Sequence, residues 1–134
     1  MDNCIFCKIA NHEIPSKTVY EDEYCLAFLD LSQTTNGHTL VVPKNHYKNL
    51  VETDPEILGH LFKAVQKTAK ILEEKLDAKG FNFVSNMNEI AGQSVHHVHI
   101  HIIPRYNEND TFDLGYQDRS NEVDLDAIYN LITK

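Results

Sequence analysis

Residues 93–105, QSVHHVHIHIIPR, contain four of the chain's eight histidines. Three of them alternate with hydrophobic residues: His97, His99 and His101. The hydrophobic residues that follow each of them are Val98, Ile100 and Ile102. Alternation of this kind predicts a strand, over residues 96–105, whose successive side chains point to opposite faces of a sheet. We therefore expect the hydrophobic residues to pack against a helix and the three histidines to lie together on the other face, outside the core.

Patterns elsewhere in the chain place this strand in a sheet. Segments rich in β-branched and aromatic residues predict four other strands, at 17–22, 24–30, 38–43 and 81–86. The long helix between the third and fourth strands is predicted from hydrophobic residues that recur every three or four positions over about six turns. Thr53 and Glu56 have the spacing of a capping box at its start, Pro55 suits the first turn, and Gly80 marks its end.

Short connections between strands favour antiparallel pairing, so the predicted fold class is α+β. It consists of a five-stranded antiparallel sheet with one long helix on its apolar face. Residues 106–121 are polar and irregular, and residues 124–133 predict a short closing helix. At 134 residues the chain has the length of a single domain, 1–134.

Composition excludes several classes of function. The net charge of −8 argues against general nucleic-acid binding, which needs a basic face, but it permits a single nucleotide. No apolar run is long enough to span a bilayer, so no membrane partner is expected. The first residues, MDNCIFCKIANHEIP, lack the pattern of a signal peptide, and a cytoplasmic location is therefore expected.

The row of alternating histidines admits three interpretations. It is the solvated face of a strand, a three-histidine catalytic metal site, or a nucleophilic imidazole with neighbours that orient it. The first is the weakest, because Thr or Lys would serve a solvated face equally well.

Two cysteines bear on the choice between the remaining interpretations. Cys4 and Cys7 form a Cys-x-x-Cys pair, which in a reducing compartment is typical of metal binding or redox activity. The redox interpretation is the weaker one, because no thioredoxin-like βαβ pattern surrounds the pair. Two thiolates at this spacing can hold one side of a tetrahedral zinc, and His46 and His97 are candidates for the other two ligands.

Three segments carry a resemblance to a known family. HVHIHII at 97–103 matches the signature of the histidine triad family, in which three histidines alternate with hydrophobic residues. The flanking AGQSV, GHTLVVPKNH at 37–46 and CIFCKIANHEIPSKTVYEDEYCLAFLD at 4–30 resemble its nucleotide-binding branch, in the bacterial zinc-containing form. The resemblance covers residues 3–106, whereas residues 107–134 are a poorly matched C-terminal tail.

The resemblance implies a purine nucleotide-binding hydrolase or phosphoramidase that cleaves at the α-phosphate. In such proteins the middle histidine, here His99, attacks phosphorus to form a covalent nucleotidyl-histidine, and water then releases an AMP-type product. His101 and Ser94 match residues that serve the phosphate and the leaving group. His38 matches a fourth histidine that orients the triad, to which His97 also belongs.

The resemblance also assigns residues to the nucleotide. Asp30 matches the carboxylate that accepts hydrogen bonds from the ribose, a role that suits an acceptor-only group. The other positions that match nucleotide contacts are Ile5, Phe6, Leu31, Asn86, Gly92, Gln93 and Ser94, together with His99 and His101. Gly92, Gln93 and Ser94 match a phosphate loop, in which Gln93 and Ser94 are expected to face the phosphate.

Zinc in related proteins is structural and is held by the equivalents of Cys4, Cys7, His46 and His97. His96 stands where relatives carry Tyr or Phe. It is either a surface residue, which we favour, or a competitor of His97 for zinc. Relatives form homodimers in which two sheets join and the long helices pack together. Ala64 and Ile71, outside the narrowest apolar stripe of the helix, are compatible with such an interface.

Four functions remain open at this point. The first is the nucleotidyl hydrolase or phosphoramidase described above, and the second is a dinucleoside polyphosphate hydrolase. The third is a zinc-dependent hydrolase with its metal in the histidine row, and the fourth is a nucleotide-sensing interaction module. The leaving group is expected to meet the tail at 107–134.

Overall fold

Five strands form one antiparallel sheet in the order β1-β2-β3-β5-β4 in the computed structural model, which describes residues 3–134. The strands are β1 (Thr18–Glu21), β2 (Cys25–Leu29), β3 (Thr39–Pro43), β4 (Gly80–Val84) and β5 (Ile100–Arg105). The helices are α1 (Ile5–Ala10), α2 (Pro55–Leu76) and α3 (Leu125–Thr133), with a 3-10 turn at Glu89–Ala91. The α+β class with a five-stranded antiparallel sheet is thus confirmed.

The long helix α2 has different ends from those expected. Asp54 is its N-cap, since its carboxylate accepts a hydrogen bond of 2.8 Å from the backbone N–H of Glu56. Thr53 is instead buried, and its hydroxyl donates to the Asn49 carbonyl over 2.7 Å. At the other end Asp77 takes the left-handed conformation, with φ of 56°, so the helix stops before Gly80, which begins β4.

One face of the sheet packs against α2. Val98, Ile100 and Ile102 join this cluster, as their alternation predicts. The other buried members are Cys25, Ala27, Val41, Leu61, Ala64, Val65 and Leu72. Ala64 is fully buried in this cluster, so it is not available for the dimer interface with which the sequence made it compatible.

The opposite face of the sheet is covered by α1, a helix that the sequence patterns did not predict. Its buried residues, Phe6, Ile9 and Ala10, pack on Leu26, Phe28, Leu40 and Val42 from β2 and β3. Because both faces are covered, β2 and β3 are buried almost throughout. The histidine face therefore lies under α1, and the expectation that it is outside the core is wrong: His97 is 0% and His99 6% exposed.

The strand β5 begins at Ile100 and not at residue 96. The preceding residues leave the sheet ladder, and the N–H of Val98 donates over 2.7 Å to the carbonyl of Tyr47, which follows β3. The alternation of faces nevertheless continues through His97 and His99. This contact draws the segment toward the chain after β3, where His46 lies.

The C-terminal tail projects from the sheet. Every residue of α3 is exposed, including hydrophobic residues such as Leu125, Leu131 and Ile132. The predicted helix at 124–133 is thus confirmed in position, but neither of its faces is buried against the rest of this chain. None of the helices within residues 3–134 combines the length and apolar character needed to cross a bilayer.

Candidate active site and metal centre

His99 is held in one tautomer by the backbone. Its Nδ1 lies 2.7 Å from the carbonyl oxygen of His97. Because a carbonyl can only accept, Nδ1 carries the proton and Nε2 keeps its lone pair. Phe6 from α1 packs against the His99 ring in an edge-on arrangement, with centroids 5.0 Å apart. Backbone and aromatic contacts together fix the orientation of this imidazole.

The His99 ring lines a cavity of about 330 Å³ between α1 and the ends of β2 and β5. Its polar wall includes Asp30, Ser94 and His101. The apolar wall consists of residues from α1, the loop after it and the strands, namely Ile5, Phe6, Ile9, Ile14, Phe28 and Leu40. A cavity with one apolar side and a few convergent polar groups is typical of a small-molecule site.

His38 orients His101 and not His99. His38 Nδ1 lies 3.2 Å from both the backbone N–H of Thr34 and the carbonyl oxygen of Ser32, so these two contacts alone do not fix its tautomer. The Asp30 carboxylate 3.5 Å from Nε2 favours the proton on Nε2, with Nδ1 accepting from Thr34. His38 Nε2 then carries the proton and donates over 2.9 Å to Nδ1 of His101. His101 in turn carries its proton on Nε2. The pair thus forms a chain that leaves His101 with a donor on its outer nitrogen.

Asp30 lies at the end of β2 and serves both the loop and the cavity. Its Oδ1 accepts a hydrogen bond of 2.9 Å from the N–H of Ser32, and its Oδ2 is 3.5 Å from His38 Nε2. Its side chain is 21% exposed. A carboxylate has about four acceptor positions, so Asp30 retains acceptors that face the cavity.

Burial keeps the imidazoles of His99 and His101 neutral. It lowers the pKa of His99 below its usual range. It also lowers the pKa of His101 to about 4, with the neighbouring His99 and His38 adding to the effect. A neutral imidazole with a free lone pair is the nucleophilic form.

The loop at 86–95 is organised by the side chain of Gln93. Gln93 is 2% exposed, its amide nitrogen donates to the carbonyls of Lys48 and Val95 over 2.7 and 3.0 Å, and its oxygen accepts from the N–H of Asn88 over 2.8 Å. The expectation that the Gln93 side chain faces phosphate is therefore wrong, because the side chain is buried and both of its N–H donors are already bonded to backbone carbonyls.

Gly92 takes a left-handed conformation in the same loop, with φ of 100°. A Cβ at this position would lie 3.3 Å from the side-chain nitrogen of Asn86, which shows how closely the two residues pack. Ser94 is exposed and lines the cavity. Asn86 itself packs against Gly92 and does not line the cavity.

Four predicted metal ligands converge at the other side of His97. The ligand atoms of Cys4, Cys7, His46 and His97 lie within 4.8 Å of one another. His97 Nδ1 is 3.4 Å from both sulfurs, and His46 Nδ1 is 3.3 Å from the Cys7 sulfur. A tetrahedral zinc, with Zn–S of about 2.3 Å and Zn–N of about 2.0 Å, separates sulfur and nitrogen ligands by about 3.5 Å. The cluster therefore has the size and donor set of a closed zinc site.

The surroundings of the cluster also suit a cation. His97 Nε2 donates to the Pro43 carbonyl over 2.8 Å, which directs Nδ1 and its lone pair at the cysteines. Burial lowers the pKa of His97 to about 4, so it is neutral. Burial and the adjacent Cys4 thiol raise the pKa of Cys7 to about 11. Without a cation the Cys7 thiol is thus protonated at neutral pH, and a bound zinc would displace that proton.

The zinc-dependent hydrolase with its metal in the histidine row is not supported by this geometry. His97 points to the cysteines, His99 Nδ1 is bonded to the backbone, and His101 Nδ1 is bonded to His38. Each ring has a different partner, so the three do not offer their nitrogens to one ion. Asp30, His38 and His101 do cluster, but the contact between the two rings is a hydrogen bond.

The structure brings together most of the site residues predicted from the sequence. Asp30, Ser94, His99, His101, Ile5 and Phe6 line one cavity. Leu31 reaches only its rim and is 98% exposed. Sequence analysis missed the apolar wall residues Ile9, Ile14, Phe28 and Leu40. The residues of α1 and of the following loop were not predicted because α1 itself was not. The strand residues were not predicted because a hydrophobic residue in a strand carries no signal that separates a ligand wall from ordinary core.

Comparison with known proteins agrees with this geometry. The model of the HIT domain family matches residues 11–108. An uncharacterized HIT-like protein of Methanocaldococcus jannaschii is 51% identical over 125 residues, which cover 93% of this chain and 95% of that protein. The crystal structure of a HIT family protein from Bacillus anthracis is 46% identical with a TM-score of 0.90, covering 98% of this chain and 93% of that one.

Two further similar proteins have informative names. One is named adenosine 5'-monophosphoramidase, from Saccharomyces cerevisiae, and is 38% identical over 128 residues, 96% of this chain and 77% of that protein. The other is the crystal structure of a zinc-bound histidine triad family protein from Mycobacterium smegmatis, 36% identical with a TM-score of 0.78, covering 90% of this chain and 87% of that one. The chain belongs to the HIT family, the proteins named for their histidine triad.

Proposed function

We propose that this protein is a purine nucleotide hydrolase that cleaves at the α-phosphate through a nucleotidyl intermediate on His99. The observation that carries the proposal is the hydrogen bond from His99 Nδ1 to the His97 carbonyl. It leaves the Nε2 lone pair on a ring that lines the same cavity as Asp30, Ser94 and His101. The similarity to a protein named adenosine 5'-monophosphoramidase supports the reaction class.

In the first step Nε2 of His99 attacks the α-phosphorus. A P–Nε2 bond forms, the bond from phosphorus to the leaving group breaks, and the leaving group departs with the electron pair of that bond. The backbone bond at Nδ1 stabilises the positive charge that develops on the ring. Imidazole is a good leaving group from phosphorus, so one difficult displacement is divided into two easier ones.

His101 acts on the phosphate in both steps. Its outer nitrogen carries a proton because its inner nitrogen accepts from His38. It can donate to a phosphate oxygen or to the departing atom, together with the hydroxyl of Ser94. In the second step water attacks phosphorus and gives a proton to His101, which replaces the one donated to the leaving group; the P–Nε2 bond breaks, and a nucleoside monophosphate leaves with His99 restored.

Nucleotide binding uses the two walls of the cavity. The apolar wall formed by Ile5, Phe6 and Phe28 accepts the purine base, and Asp30 accepts hydrogen bonds from the ribose hydroxyls. The backbone N–H groups of Gly92 and Gln93 donate to the carbonyls of Glu89 and Asn88, so we assign the phosphate contact of this loop to the hydroxyl of Ser94, whereas the Gln93 side chain supports the loop. Asn86 supports the same loop through its contact with Gly92.

We propose that Cys4, Cys7, His46 and His97 hold a structural zinc. Protein ligands would fill all four positions of a tetrahedral ion, so the metal would have no role in either chemical step. It would instead cross-link the α1 region to the segments that follow β3 and precede β5. His97 connects this site to the nucleophile, because its side chain belongs to the cluster and its carbonyl accepts the His99 proton.

Asp30 offers a test of the nucleotide assignment. Asp30→Ala is expected to lower kcat/KM for an adenosine 5'-phosphoramidate by about tenfold, because two ribose hydroxyls lose a charged acceptor. The 2',3'-dideoxy analogue lacks those hydroxyls, and its kcat/KM should change little. The measurement is the ratio of the two kcat/KM values in wild-type and variant protein.

An equal loss for both substrates would contradict the ribose role of Asp30. If wild-type protein turned over neither substrate, the hydrolase proposal would fail. Tight nucleotide binding without turnover would then favour the nucleotide-sensing interaction module.

We also propose that the protein is a homodimer joined at the β4 edge of the sheet. The strand β4 is at one end of the strand order, so one of its edges is unpaired within residues 3–134. Beside it lies a shallow apolar groove of about 430 Å³ between β4 and α2. It carries two exposed aromatic residues, Phe62 at 47% and Phe83 at 52% exposure.

Phe83→Glu is expected to convert the dimer to a monomer, because the carboxylate would be buried against the apolar face of the second copy. Light scattering coupled to size exclusion measures the mass in solution. Leu125→Glu, on the exposed helix α3, is the matched control and should remain dimeric. A wild-type monomer, or dissociation by the control alone, would contradict this interface.

A further inference from the structure

His96 lines a second cavity, which lies next to the nucleotide cavity. This cavity is open to solvent and has a volume of about 640 Å³. Its walls are formed by residues at and around the four candidate metal ligands and by the end of the phosphate loop. These residues are Asn3, Cys4, Ile5, His46, Ser94, Val95 and His96. The His96 side chain is exposed and lies outside the group of four metal ligands.

The two cavities meet at the position where the reaction would occur. Ile5, Ser94 and Val95 line both of them. His99 lines the first cavity but not the second, so a phosphorus atom held between His99 and Ser94 would have its nucleoside on one side and its leaving group on the other. The tail at 107–134, which we expected to meet the leaving group, contributes no residue to either cavity wall.

The chemistry of the second cavity suits an anion. Among the residues 3–134 that the structure describes, no Asp or Glu lines it, although the chain has 20 acidic residues and a net charge of −8. His46 uses Nδ1 toward Cys7, so its other nitrogen remains as a donor, and His96 and Asn3 add further donors. A neutral imidazole already donates one N–H, so this donor set does not depend on protonation.

We propose that the second cavity is the leaving-group subsite and that it takes a phosphate-bearing leaving group, with His96 as a specificity-determining residue. This inference rests on the proposed function, because it assumes that the nucleotide occupies the first cavity. The substrate class it names is a nucleotide whose α-phosphate is joined to further phosphate. An amine such as ammonia is too small to reach His96 from the α-phosphorus.

The test compares two substrates that share the adenylyl group. Diadenosine tetraphosphate has a polyphosphate leaving group, and adenosine 5'-phosphoramidate releases ammonia. His96→Ala is expected to lower kcat/KM about tenfold for the first and to leave the second unchanged, since a hydrogen bond to a charged group is lost only there. His96→Gln, which keeps an N–H donor, should restore most of the loss. His12→Ala, a variant at an exposed histidine outside both cavities, is the control.

Two further measurements separate this inference from the proposed function. Zinc content per chain should be the same in all variants. A lower zinc content in a His96 variant would reveal that the substitution acts by disturbing the neighbouring ligand His97. In a His99→Ala background, His96→Ala should weaken binding of ATP about tenfold and leave AMP binding unchanged. Equal effects on both substrates and both ligands, or no effect on any, would overturn the subsite. Failure of wild-type protein to turn over either substrate would overturn the proposed function, and the binding comparison would still decide the subsite.

Discussion

His99→Ala is expected to lower the turnover of an adenosine 5'-phosphoramidate by about a thousand-fold or more, which is the scale of loss when a nucleophile is removed. The substitution removes Nε2, the atom that would bond to phosphorus, and no other group on the cavity wall has a fixed lone pair at that place. Binding of AMP should change only a few-fold, because Asp30 and the apolar wall remain. Steady-state kinetics and calorimetric AMP titration measure the two effects.

His101→Ala is the matched comparison. It removes a neighbouring imidazole from the same cavity but leaves Nε2 of His99 in place, so a smaller loss is expected, of about a hundred-fold. Activity of His99→Ala within about tenfold of wild type would contradict the nucleophile assignment. So would a loss explained entirely by weaker AMP binding.

Cys7→Ala is expected to abolish zinc binding and to lower the melting temperature by about 10 °C. A ligand present at a thousand times its dissociation constant stabilises the folded state by about 4 kcal/mol. For a domain of this size each kcal/mol corresponds to a few degrees. The measurements are zinc per chain by elemental analysis and thermal unfolding with and without a chelator.

Cys25→Ala is the control for the removal of a buried thiol. Cys25 is fully buried in the cluster beneath α2 and is not among the four clustered ligands. It should keep its zinc and its response to chelator. Wild-type protein that binds no zinc, or a Cys7→Ala protein whose melting temperature equals that of wild type in the presence of zinc, would contradict the structural metal site.

The sequence predicted the elements that have long or strict patterns. The apolar face of α2 repeats over many turns, and Val98, Ile100 and Ile102 alternate without exception, so both were assigned to the correct side of the sheet. The adjacency of β3 and β5, which brings His46 near His97, followed from no periodicity. For the metal ligands the resemblance to a family supplied the two histidines that spacing alone left as candidates.

The elements that the sequence did not predict are short or depend on tertiary contacts. The helix α1 has six residues, fewer than two turns, so no apolar periodicity can be recognised in it. Its absence from the prediction is why the histidines were expected outside the core, since α1 is what covers them. The role of Gln93 depends on the carbonyl of Lys48, 45 residues away, which no local pattern reveals.

His97 links stability and chemistry in this account. Its ring is one of the four clustered candidate metal ligands, and its Nε2 is fixed by a hydrogen bond to the Pro43 carbonyl. Its own carbonyl accepts the hydrogen bond from Nδ1 of His99. Removal of the proposed zinc should therefore disturb the orientation of His99 as well as the fold. Chelation is expected to act on activity gradually, as the structure around His97 loosens, and not at once as it would for a metal that activates water.

The covalent intermediate on His99 can be detected by mass spectrometry of enzyme that is rapidly quenched during turnover of an adenosine 5'-phosphoramidate. We expect a fraction of the protein to be heavier by one adenylyl group, with the added mass located on His99 by peptide fragmentation and absent from His99→Ala. Turnover without any adenylylated protein at the shortest quench times, or an adenylyl group on a residue other than His99, would contradict it.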